Sequence, residues 1–105
     1  MIKVFLSNRN GADAVGQFNE KTKELTVLKG SHVSDTISTS PKFRGTETIK
    51  KKRNEVTKNG IVQVDVTFKS CSTAANFVTG NSSNGYRTWK NEEGKVLKLL
   101  VEGDE

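Results

Sequence analysis

The chain has little of what most recognisable site chemistry requires. Its 105 residues include one cysteine, one histidine, one proline and one tryptophan. A lone Cys71 excludes an internal disulfide, and together with a lone His32 it cannot by itself supply a typical zinc site. No apolar run approaches the roughly 18 residues needed to cross a bilayer, so a transmembrane helix is excluded and no membrane partner is expected. No charged-then-apolar leader precedes the first strand at Ile2, from which we expect cytoplasmic residence. Cys71 falls at the first turn of an expected helix, where the dipole lowers a thiol pKa, and Asp65, Glu47 and His32 are nominal bases. Nothing in the spacing brings these groups together, so no catalytic residue, metal or cofactor is expected and the chain reads as a non-enzyme. The apolar share is only 32%, which predicts a thin core resting on few large side chains.

What is present is positive charge and strand-forming alternation. Seventeen Lys and Arg against twelve Asp and Glu give a net charge of +5 and a pI near 9.5, which attracts polyanions without specificity. The length suits one domain. Five Phe and several alternating apolar runs argue that it folds.

In chain order, Ile2–Leu6, Ala14–Phe18 and Glu24–Leu28 read as three strands of an antiparallel meander, which fills 1–43 together with an irregular Ser/Thr-rich crossing. His32 lies in the small-residue loop that follows the third strand. Residues 44–60 form a basic segment in which Thr46 to Lys58 is expected to be helical. Ile49 and Val56 share one face near Arg53, and Asn59-Gly60 is a stop. The run Lys50-Lys51-Lys52-Arg53 is either a solvated face or a place for a phosphate backbone. Within 61–101, Ile61 to Phe68 alternates through Val62, Val64, Val66 and Phe68, the strongest strand signal in the chain, and is expected at the centre of the sheet. It leads into a helix from Ser70 to Gly80, capped by Ser70 and ended by Gly80. An Asn84-Gly85 turn and an aromatic strand anchored by Trp89 follow. Val96 to Val101 fits a helical face or a last strand, and 102–105 is an acidic tail. The expected fold is α+β, a mostly antiparallel sheet with the two helices packed on one face.

Two parts of this reading resemble a known family. Phe68-Lys69-Ser70-Cys71-Ser72-Thr73-Ala74-Ala75, then Gly80, Asn84-Gly85-Tyr86 and Trp89-Lys90, resemble the signature of the domain of unknown function 4357. Gly11 to Gly16 and Val27 to Ser31 are similar to the region that precedes it in longer relatives. Cys71 stands where the family often has Pro, Thr73 where Ala is usual, and Tyr86 where Trp is usual. The pattern is also similar to the restriction-enzyme and adenine-methylase-associated domain. The resemblance implies an accessory to nucleic-acid enzymes, with a nuclease or methylase on another chain as partner.

Charge and resemblance together lead us to expect a non-catalytic module that binds DNA or RNA. Lys29, Arg44, Lys50, Lys51, Lys52, Arg53, Arg87 and Lys90 are the candidate phosphate contacts, Ser82, Ser83 and Asn84 the candidate hydrogen-bonding groups, and Tyr86 a candidate aromatic contact. The alternative is a protein-interaction or scaffolding domain, which needs an exposed apolar patch such as Val96 to Val101.

Overall fold

The computed structural model describes residues 1–38 and 46–102. The expected Arg44 contact and the Pro41 crossing lie outside the described residues. The three-strand meander forms as β1 (Ile2–Ser7), β2 (Asp13–Phe18) and β3 (Leu25–Val27). The strands pair antiparallel, with Val4 opposite Gly16 and Gly16 opposite Val27. Alternation puts Val4, Leu6, Ala14, Phe18, Leu25 and Val27 on the buried face, as the two-residue period of a strand requires.

The chain then runs through the helix α1 (Thr46–Val56) into a small hairpin of β4 (Thr57–Lys58) and β5 (Ile61–Val62). Asn59 and Gly60 turn this hairpin with φ of 54° and 78°. Two consecutive positive φ values match the tight turn whose twist suits a hairpin, and Asn-Gly is the pair that adopts it most readily.

The run from Ile61 to Phe68 is therefore not one central strand. Val62 exchanges backbone hydrogen bonds with Gly30 and Ser31, and the chain then bends with Val64 53% exposed. Only β6 (Val66–Phe68) joins the main sheet, whose order is β1-β2-β3-β6. Because β2 already occupies one side of β3, a strand arriving later can be added only outside it, and β6 is an edge.

Helix α2 (Cys71–Thr79) begins and ends as the sequence predicts. The Ser70 hydroxyl accepts from the Thr73 amide, and Gly80 closes the helix left-handed at φ 75°. A side chain on Gly80 would place its Cβ 2.1 Å from the Thr36 carbonyl oxygen. Ala74, Ala75, Phe77 and Val78 are buried, and the helix lies on β2, β3 and β6, while α1 packs on α2.

The expected aromatic strand is instead a helical turn, α3 (Gly85–Thr88), and the apolar end piece resolves as the helix α4 (Leu97–Glu102). Asn84 favours the helical turn because its side-chain oxygen caps the Tyr86 amide at 3.0 Å. Lys90 keeps strand character, bridging Phe5 on one side and Val96 on the other. It exchanges two backbone hydrogen bonds with Phe5 on the open side of β1. The result is an α+β domain with a mostly antiparallel sheet.

Trp89 is fully buried between the helices and the sheet. Its indole donates to the Cys71 carbonyl at 3.0 Å, and a Cβ on Gly16 would lie 3.3 Å from its ring. Gly85 sits so close to α2 that a Cβ there would be 2.3 Å from the Cys71 carbonyl carbon. Its amide donates to the Ser72 hydroxyl at 2.9 Å. The Ser70…Gly85…Trp89 pattern is thus a lock between α2 and α3, made of a cap, a close approach and an anchor.

Candidate nucleic-acid interface

The basic run of α1 is split among three directions. A helix turns about 100° per residue, so Lys51, Lys52, Thr48 and Glu55 fall on one flank, Lys50 on the opposite flank, and Arg53 beside Ile49 on the inner face. Burial agrees, with Ile49 at 5% and Arg53 at 9% exposed.

Arg53 departs from the expected solvent-facing cations. Its Nε and Nη2 donate to the Phe77 carbonyl at 3.0 and 2.8 Å, Nη2 also to Val78 at 3.2 Å, and Nη1 to the Ser34 carbonyl at 3.1 Å. Phe77 and Val78 are among the last carbonyls of α2, which have no partner within the helix, and a cation there also meets the negative end of its dipole. Burial pushes the guanidinium pKa below its usual value, though arginine remains charged. Arg53 is a helix cap that ties α1 and the Ser34 loop to α2.

Lys51 and Lys52 instead line a groove of about 540 Å³ between α1, α2 and β6. Among the described residues Lys69 is the third cation of its lining and Glu55 its one acid, while Ile49, Phe68 and Phe77 give it an apolar floor and Thr67, Thr73 and Asn76 add polar groups. Sequence reasoning missed Lys69, Thr73 and Asn76. The signal was present, since Val66 and Phe68 alternate inward and leave Thr67 and Lys69 on the other side. Thr73 and Asn76, three apart, share the flank of α2 that its apolar stripe leaves polar.

The strand edge at this groove is open. Leu28 donates to Val15 at 2.9 Å and Asn19 to Glu24 at 2.9 Å, so the even residues of β3 bond to β2. Leu25 and Val27 then bond to Phe68 and Val66, their partners in β6. By the alternation of antiparallel ladders, the N–H and C=O of Thr67 point away from the sheet.

The second candidate cluster stands apart. Asn84, Tyr86, Arg87, Lys98 and Val101 line a hollow of about 390 Å³ on α3 and α4. Tyr86 leans edge-on against Phe18, with ring centroids 6.1 Å apart, and burial pushes its hydroxyl pKa up. Lys90 lies outside β1, and β6 is at the other edge of the sheet. Strand spacings of about 4.8 Å put the two on the order of 20 Å apart. Ser83 reaches from the loop before α3 to the groove wall, its amide donating to the Asn76 side chain at 2.7 Å. Ser82 is exposed on the same loop, and Lys29, exposed after β3, lines neither hollow. Its amide donates to the Asp65 carboxylate at 2.8 Å.

Cys71 is buried, and desolvation pushes its thiol pKa up, the opposite of what a reactive thiol requires. Among the described residues no three of His, Cys, Asp and Glu gather to hold a metal, and no helix is long and apolar enough to cross a membrane.

The lock between α2 and α3 and the meander ahead of it correspond to the two parts of the chain in which the family signature was read. No curated protein and no solved structure matches the chain. The model of one family, described as a domain of unknown function (DUF4357), matches residues 4–101, nearly the whole chain, and the protein therefore belongs to the DUF4357 family.

Proposed function

We propose that the chain is a non-catalytic nucleic-acid-binding accessory module, acting with a nuclease or modification enzyme on another chain, and that the groove between α1 and β6 is its contact. The observation that carries this reading is the grouping of Lys51, Lys52 and Lys69 around one concavity, with Glu55 the one acid among its described lining residues. Three ammonium groups on one rim can hold successive phosphates, and the counterions they displace supply the driving force. Arg53 takes no part, since its donors are committed to carbonyls. Arg87 and Lys98 offer a separate, smaller anion contact.

The scaffolding alternative gains no comparable support. Leu97 is buried, Leu100 and Val101 pack against the core, and only Leu99 of this segment is exposed as a large apolar side chain.

The test is a salt titration of binding to short DNA and RNA. Exchanging Lys51, Lys52 or Lys69 for Gln should lower the slope of log K against log salt by roughly 0.7–0.9 per lysine. Lys50→Gln, on the far flank, should change it less. Slopes unaffected by the three groove lysines would falsify the placement.

A further inference from the structure

Cations explain only the rim of the α1–β6 groove. Its floor is apolar, lined by Ile49, Phe68 and Phe77, of which Phe68 is 9% and Ile49 5% exposed. A phosphate backbone has no use for such a floor. A duplex presents phosphates and sugars outward and keeps its base faces stacked, so it would bridge the lysines and leave the hollow empty. We infer that the groove seats an unpaired base of a single-stranded nucleic acid, with its flanking phosphates on Lys51, Lys52 and Lys69. This inference rests on the nucleic-acid reading above and narrows its ligand to one class.

Three features agree with it. The volume, about 540 Å³, is within the range of sites that enclose a small ligand, roughly 300–1,000 Å³, and suits one nucleoside. The faces of a base are apolar and meet the accessible edges of Ile49 and Phe68 in the floor, with Phe77 buried beneath. Its polar edge needs donors and acceptors in a line, and the groove wall supplies them. Among the described residues the N–H and C=O of Thr67 at the edge of β6 have no backbone partner, and Asn76 has its Oδ1 occupied by the Ser83 amide, which leaves Nδ2 to donate. Every base has both a flat face and such an edge, so the seat accepts an unpaired base with modest sequence preference.

The experiment compares three oligonucleotides at two salt concentrations: a single strand, the same strand with abasic sites, and a duplex. The abasic strand keeps the phosphate charges and removes the bases. The wild-type protein should bind the intact strand at least about tenfold tighter than the other two, the lower part of the range measured for one stacked base. Thr48→Phe places a ring in the groove from an exposed position on α1 and leaves every charge in place. It should bring the intact strand down to the abasic level without changing abasic or duplex binding, whereas Lys52→Gln should weaken all three. Equal affinity for intact and abasic strands, indifferent to Thr48→Phe, would overturn the base seat and leave the phosphate contact standing. Absence of salt-dependent binding to any of the three would overturn both readings. So would displacement of the single strand by an acidic peptide carrying a Phe or Leu anchor at lower concentration than by a competing single strand, since the groove would then belong to a protein.

Discussion

Replacing Arg53 should destabilise this protein strongly although the residue lies in its most basic run. Arg53→Met keeps most of the apolar stem and removes the guanidinium. The carbonyls of Phe77 and Ser34 then lose their donor at 2.8–3.1 Å in the buried interior. Each unsatisfied buried carbonyl costs about 1–3 kcal/mol. Loss of a cation at the end of α2 adds up to about 2 kcal/mol, partly offset because a desolvated charge is also removed. The net expectation is about 3 kcal/mol, a large share of the roughly 5–15 kcal/mol that holds a small domain together. Urea unfolding followed by tryptophan fluorescence suits the assay, because Trp89 is fully buried. With a slope of roughly 1–3 kcal/mol per molar, the midpoint should fall by about 1–3 M. Arg53→Lys should recover only part of the loss, since an ammonium lacks the planar fork that reaches several carbonyls at once. A stability for Arg53→Met within about 0.5 kcal/mol of wild type, while Lys50→Met is also neutral, would refute the assignment of Arg53 as a cap.

Other perturbations separate the lock from the groove. Gly85→Ala should destabilise by about 3 kcal/mol or more, because the added methyl meets the Cys71 backbone at 2.3 Å and cannot be relieved by a side-chain movement; calorimetry would show the drop in Tm. Trp89→Phe should cost about 2–3 kcal/mol from lost volume and the lost indole hydrogen bond to the Cys71 carbonyl, measured by chemical denaturation. The Cys71 thiol has a raised pKa in the folded state. Its contribution is therefore complete below the unfolded thiol pKa, about 8.5, and falls as pH rises above it towards the folded value. Wild type should lose stability between pH 8 and 10 more steeply than Cys71→Ala, and parallel pH profiles would contradict that linkage.

How much of this was legible beforehand follows from what each residue needs in order to take its place. The meander needed only local alternation, and the caps of α2 needed only Ser70 and Gly80, so both were readable. Asn84 was ambiguous in sequence because the same side chain begins a turn or caps a helix. It became a cap when Gly85 docked against the Cys71 backbone. The Val62–Phe68 alternation held only at its ends, where Val62, Val66 and Phe68 are buried while Val64 is exposed, because alternation is silent on which strand pairs with which. Gly30 and Ser31 took the Val62 end, and β3 took only Val66 to Phe68.

The charges divide in the same way. Sequence by itself determined that α1 carries a cationic run, since a side chain's charge is a property of the residue. Where each charge points depended on which face of α1 turned inward and on what waited there. Ile49 brought Arg53 within reach of the late carbonyls of α2, which have no partner within the helix and accept from its guanidinium. That docking left Lys51 and Lys52 opposite Lys69 and Lys50 facing away. The groove is made from α1, α2 and β6, elements separated in the chain, and only tertiary packing could decide that it exists.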